Sequence, residues 1–250
     1  MDVKKCMETT CRYYSAWLGQ DGILLHDFKG IRHVRSEERN HVPYGYGAPV
    51  DLYVLCQKER LVVSYGDRGR EKAGILQEEI QSGMAPEEIR RSLERIFERR
   101  ADHSVKYVLT DPILVSGAAV LAAEDYDEYE SFWKKCHPES RDVGWLKDYF
   151  LEMVQDRTCV GTFVDGMLVS CTDAPGMPYL EDEVQEIGIN TLPEYRGKGY
   201  ASAACRKCLR EILQHGKAPQ WSAPVENAAS RRLAEKVGFT EFAEVISMTL

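Results

Sequence analysis

The sequence predicts an α/β (α+β) fold built on a mixed sheet, and three observations carry that reading. Charged segments with apolar residues at helical spacing alternate with short runs rich in Val, Ile, Tyr and Thr. Asp165-Gly166 sits between two strand-like runs, Thr158–Val164 and Met167–Cys171, which is a strong hairpin signal. A strand over Val184–Thr191 then feeds a turn with two glycines that opens into a long helix from about Gly199 to His215.

Residues 1–50 read as irregular and end in the turn-rich Pro43-Tyr44-Gly45-Tyr46-Gly47-Ala48-Pro49. Two strands follow, Val50–Cys56 and Leu61–Tyr65, joined by a hairpin turn at Gln57-Lys58-Glu59-Arg60. Residues 67–100 are charged and helical, with Ala73, Leu76 and Ile80 on one apolar face and Ile89, Leu93, Ile96 and Phe97 on another. Ser82-Gly83 stops the first helix, and Pro86 with Glu87 and Glu88 starts the second. A strand at Val105–Leu109 is broken by Asp111-Pro112. Past residue 115 come helices around Tyr126–Cys136 and Gly144–Val154, the hairpin, and the strand–turn–helix unit. A strand near Gln220–Ala223, a helix over Ala228–Val237 and a last strand near Phe239–Met248 complete the series. This places an N-terminal α+β region at 1–114 and a second domain at 115–250.

Composition excludes several classes. The 250 residues are 44% hydrophobic, enough for a packed core. With 32 basic and 40 acidic side chains the net charge is -8, which argues against a nucleic-acid partner. No run approaches the ~18 apolar residues of a membrane span, and MDVKKCMETTCRYY lacks the apolar core of a secretory signal. The eight scattered cysteines then read as reduced thiols in a cytoplasmic protein. Cys205 and Cys208 share the apolar stripe of their helix and have no second ligand pair, so no metal site is expected. The six histidines form no H-x-x-x-H pair, and no G-x-S-x-G signature is present. Trp221 reads as a core residue.

The stretch Arg196-Gly197-Lys198-Gly199-Tyr200-Ala201 presents unpaired backbone amides at a helix start, an arrangement suited to a phosphate or pyrophosphate. It is no Walker loop, since Lys198 is followed by Gly199 where Ser or Thr would be needed. It is no dinucleotide fingerprint either: Ser202 stands where Gly or Ala belongs, and no acidic residue lies near 217–221.

Arg196-x-x-Gly199-x-Ala201 after a strand resembles the R/Q-x-x-G-x-G/A signature of the GNAT family of acetyl-CoA-dependent N-acetyltransferases. Downstream, Asn227-x-x-Ser230-x-x-Leu233-x-x-Lys236-x-Gly238-Phe239 is similar to the family's second motif. The resemblance covers residues 115–250, most clearly 180–240. It implies a mixed, mostly antiparallel sheet flanked by helices, with residues 1–114 as an N-terminal extension that builds the acceptor site or forms a degenerate copy of the fold. Gly66-Asp-Arg-Gly69 after the first hairpin is the hint of such a copy.

By the same resemblance, acetyl-CoA is the cosubstrate and Gly197, Lys198, Gly199, Tyr200 and Ala201 cradle its pyrophosphate, with Arg196 flanking. The strand edge at Ile189 and Thr191 pairs with the pantetheine amides, and a strand amide holds the oxyanion. Asn227 caps its helix and reaches the pantetheine arm, and Ser230 lies beside it. Lys236, Gly238 and Phe239 are structural. Glu186 and Glu183 occupy the positions of the general base; strand alternation puts them on opposite faces, and Glu186 is the favoured one. Ala234 stands where many members carry the tyrosine that protonates the leaving thiolate, so Ser230, Tyr200 or water is left for that role. The expected reaction is direct acetyl transfer to the amine of a small-molecule acceptor. The alternative is a catalytically silent CoA-binding module.

Overall fold

The first segment, expected to be irregular, begins with a helix. In the computed structural model, which describes residues 1–250, α1 (Val3–Trp17) starts at Asp2, whose carboxylate accepts from the Lys5 amide at 2.9 Å. Its buried face is Cys6, Thr9, Thr10, Tyr13, Tyr14 and Trp17, a regular helical stripe made of residues that score as weakly apolar. That composition hid the helix from a reading based on Leu, Ile and Val.

The remaining elements of the first segment are β1 (Gly30–Arg35), β2 (Leu52–Gln57), β3 (Arg60–Tyr65), α2 (Asp67–Arg70), α3 (Ala73–Glu79), α4 (Pro86–Phe97) and β4 (Asp102–Leu109). The second segment adds β5 (Ala119–Val120), α5 (Tyr126–Cys136), α6 (Leu146–Gln155), β6 (Val160–Val164), β7 (Met167–Asp173), β8 (Val184–Glu186) and β9 (Gly188–Thr191). It ends with α7 (Tyr200–Gln214), β10 (Ala218–Pro224), α8 (Ala228–Val237) and β11 (Phe239–Met248). β1 was not expected; the β2–β3 hairpin, α3 and α4 were. Leu76, Ile80, Ile89 and Leu93 are fully buried against Leu52, Val54, Val63 and Ile246.

Two sheets form, and most strand pairs in them are antiparallel. One runs β1-β3-β2-β11-β4-β10-β8, the other β5-β6-β7-β9. Only β1–β3 and β8–β10 are parallel pairs. In the larger sheet β4, from residues 1–114, lies between β10 and β11, from residues 115–250. The two segments therefore share one sheet, and the main core draws on both: Tyr14, Trp17 and Tyr53 pack in it with Trp221 and Val245.

Gly238 fixes the end of β4 against the end of α8. Its carbonyl accepts from the Thr110 and Asp111 amides, each at 3.0 Å. Its φ is +109°, and a Cβ there would fall 2.0 Å from the Asp111 carbonyl oxygen. Only glycine closes the helix this tightly.

One expected strand is in fact two. Val184–Thr191 breaks at Ile187: β8 pairs with β10 in the large sheet, whereas β9 pairs with β7 in the small one. The Ile187 amide makes the last link, to the Gln220 carbonyl at 3.1 Å. Beyond it the two sheets part, leaving β9 with a free edge and β10 without its neighbour from Trp221 onward.

Candidate active site

A cleft of about 700 Å³ fills the gap where the sheets part. Its size suits a large ligand. Among the residues singled out in the sequence, Glu186, Ile189, Thr191, Arg196, Gly197, Gly199, Tyr200, Ala201, Asn227 and Ser230 all line it. Two do not. Lys198 turns its ammonium over the Tyr195 ring, 5.1 Å from the centroid. Glu183 lies outside the strand, in the turn before β8, where Arg12 of α1 grips both carboxylate oxygens. Strand alternation therefore does not govern Glu183, and its place in that turn is what keeps it out of the cleft.

The geometry of the 196–201 turn follows from its glycines. Gly197 and Gly199 have φ of +75° and +92°, and a Cβ at either would meet nothing within 4 Å. Gly199 is the N-cap of α7 and has no side chain to satisfy the first turn. The first amide with a backbone acceptor is Ala203, to the Gly199 carbonyl at 3.1 Å. The amides of residues 197–202 donate to no protein group, and they stand at the positive end of a 15-residue helix. Arg196 is braced by a bond from Nε to the Thr191 carbonyl at 3.1 Å. Arg232 and Lys236 of α8 add further cations to the lining. A pyrophosphate-bearing group fits this donor set and the open space above it.

Asn227 caps α8 as expected, its side-chain oxygen accepting from the Ser230 amide at 3.0 Å. Ser230 is also held from below: its hydroxyl accepts from the indole N–H of Trp221 at 3.1 Å. Trp221 is 1% exposed and packs on Phe239, so it is a core residue that orients a cleft-lining hydroxyl. Ala234 is buried. Cys205 and Cys208 are fully buried free thiols in the face of α7 that packs into the core.

The acidic end of the cleft holds Glu186 and Asp173. Desolvation holds the Glu186 carboxyl above the usual carboxylate range, against the opposing pull of Lys106 and with a smaller push from Asp173. Asp173 accepts from the Tyr149 hydroxyl. Glu186 also lines a second, smaller cavity of about 50 Å³ on the other side, walled by Tyr13, Tyr14, Trp17, Tyr46 and Tyr53 together with Lys106. None of these side chains, nor Asp173 and Tyr149, was found from the sequence. They are far apart along the chain and carry no spaced pattern, and the helix that brings Tyr13, Tyr14 and Trp17 was itself not read.

Residues 177–245 match the family model described as GNAT acetyltransferase. No curated protein matches the sequence. Among solved structures the chain is similar to a GNAT-family acetyltransferase from Colwellia psychrerythraea, at 16% identity and a TM-score of 0.50, over 60% of this chain and 57% of that one. It is also similar to a GCN5-related N-acetyltransferase from Sphaerobacter thermophilus, at 15% identity and a TM-score of 0.47, over 63% and 55%. A third, from Salmonella typhimurium and solved with its cofactor acetyl-CoA, has 13% identity and a TM-score of 0.44, over 54% and 93%. The chain thus spans little more than half the length of the first two. No helix is long and apolar enough to cross a membrane.

Proposed function

We propose that this chain, whose residues 177–245 match the GNAT acetyltransferase model, transfers the acetyl group of acetyl-CoA directly to the amine of a small acceptor. The observation that carries this is the row of free amides at 197–202, set in a cleft whose other end holds a half-buried carboxylate, Glu186. The amides and Arg196 bind the pyrophosphate, and the free edge of β9 at Ile189 and Thr191 orients the pantetheine arm as an added strand would. When bound, acetyl-CoA supplies an activated thioester carbonyl. Glu186 takes one proton from the acceptor ammonium, and the freed lone pair forms the N–C bond. As the C–S bond breaks, its electron pair leaves with sulfur, and the second proton shed by the acylated nitrogen ends on that sulfur. Ser230 and Tyr200 are the hydroxyls beside the cleft in place of the absent tyrosine at Ala234. A thiol of pKa about 8.5 leaves readily, so this proton is needed less than the one removed.

Melting curves with ligand test the reading. At a hundredfold excess over its dissociation constant, acetyl-CoA should stabilise by about 2.7 kcal/mol, which raises the melting temperature by roughly 5–10 °C. CoA should act likewise, and NAD and ATP should not. A folded sample with no shift from acetyl-CoA or CoA would overturn it. Release of free thiol in the presence of amines separates a transferase from a silent CoA-binding module.

A further inference from the structure

The small cavity behind Glu186 is built almost wholly by residues outside 177–245. α1 lays Tyr13, Tyr14 and Trp17 over one face of the large sheet, and Tyr46 and Tyr53 close the sides. β8 stops at Glu186, opposite Gln220 of β10. Ser222, two residues further along β10 and on the same face, has no β8 neighbour. Lys106 lies opposite Ser222 on β4 and donates to its hydroxyl at 2.7 Å. The gap left by β8 is therefore backed by an ammonium group whose other two donors have no protein partner.

The wall of this cavity carries one charge of each sign. Glu186 is its only acidic wall residue and Lys106 its only basic one. Directly behind the aromatic wall lies a second cation, Arg39, which is 0% exposed. Its guanidinium is 5.4 Å from the Trp17 ring and 5.6 Å from the Tyr53 ring. Arg39 bonds only neutral groups, the Val50 carbonyl and the Tyr179 hydroxyl, and its Nε has no partner. Tyr14 and Tyr53 are 3% and 4% exposed and line the cavity, and their hydroxyls hydrogen-bond to no other residue, which leaves them free for a ligand. Asp173 lies near Glu186 and Glu38 near Arg39, so what the cavity itself offers is one carboxylate and one ammonium with spare donors, a partner for each end of a ligand that carries both charges.

We propose that the acceptor is a small amino-acid-like zwitterion, with its amine at Glu186 and its carboxylate held by Lys106 and the tyrosine hydroxyls. This rests on the transferase reading above. The size agrees: about 50 Å³ admits about four water-sized atoms, enough for a carboxylate and one or two carbons but too little for an aryl group. The aromatic walls exclude water around the ion pair and so strengthen it.

The test compares matched acceptors on the full chain: glycine against glycinamide, alanine against alaninamide, β-alanine against its amide. Thiol release from acetyl-CoA should give a kcat/KM about 10–100-fold higher for each acid than for its amide. Amine basicity cannot produce that order, because the amide's amine deprotonates more readily. Titration calorimetry with CoA present should rank the acids above the amides in binding. Lys106→Met should shrink the preference mainly through KM, and Lys106→Arg should restore part of it. Amides equal to or better than acids in the wild-type protein would overturn the inference. So would acetyl-CoA binding without stimulation by any acid, and neither result depends on a variant folding. Failure of acetyl-CoA to bind would overturn the transferase reading, and this one with it.

Discussion

Glu186 and Lys106 line one cavity from strands that flank β10 on either side, and they come from opposite halves of the chain. Each shifts the other's proton affinity against the effect of burial. Desolvation raises the glutamate and lowers the lysine, and the pair partly restores both charged forms. The carboxylate proposed as the base is thus tuned by a residue of the N-terminal segment.

Replacing Glu186 should separate chemistry from binding. Glu186→Gln should keep acetyl-CoA affinity while turnover falls by roughly 10²–10⁴-fold. A base acts when deprotonated, so wild-type kcat should climb with pH through a pKa above the usual carboxylate range and level off beyond it. The variant should lose that limb and keep only the rise due to the amine itself. Glu183→Gln, which loosens only the grip of Arg12, should retain the wild-type rate. A pH–rate profile in which Glu183→Gln is the impaired protein would assign the base to the other carboxylate.

Gly199→Asp bears on the phosphate loop. A side chain at φ +92° costs about 1–2 kcal/mol in the left-handed region, so the unliganded protein should melt a few degrees lower. The new Cβ meets open space, so no further clash is expected. The carboxylate adds negative charge where the amides of 197–202 converge, and acetyl-CoA affinity should fall by about tenfold or more. Calorimetry on both proteins reads this directly; unchanged affinity in a destabilised protein would make the loop a structural turn.

Glu211 offers a pH test of the scaffold alone. It is 2% exposed and accepts from Arg157 at 2.7 Å and Lys207 at 2.6 Å. Burial by itself would raise its carboxyl, but these two bonds outweigh burial and lower it. A lowered folded pKa gives stability that is present above the ordinary glutamate range and lost as pH falls through the folded value. Glu211→Gln should therefore cost about 1–2 kcal/mol at neutral pH, a figure kept small because Arg157 is half exposed. The difference in melting temperature should close in acid. A gap that persists there would mean that shape, not charge, holds this contact.

The legible parts of the molecule are those written in local chemistry. Asp165-Gly166 fixes its hairpin, Asn227 and Gly238 bracket α8, and the Gly197 and Gly199 turn announces the start of α7, all through rules spanning a few residues. What escaped was set by distant packing. The stripe of α1 uses tyrosine and threonine because it covers a polar cavity as well as a core. The break at Ile187 is marked only by Gly188 inside a strand-like run; it exists because β8 and β9 find partners in different sheets. Lys106 looks like any charged residue in an edge-like run until Ser222 is placed opposite it.

The position of β11 also constrains how the molecule can come into being. It is the last strand in chain order, yet it occupies the middle of the large sheet, between β2 and β4. On a ribosome, both neighbours emerge long before it and must wait with unpaired edges. Tyr53 on β2 and Lys106 on β4 are not joined through the sheet until that strand arrives. Closure over so long a separation is slow and leaves edges open to wrong partners meanwhile. A nascent chain stalled before residue 239 could pair β4, β10 and β8 but would lack the strand that joins them to β2 and β3.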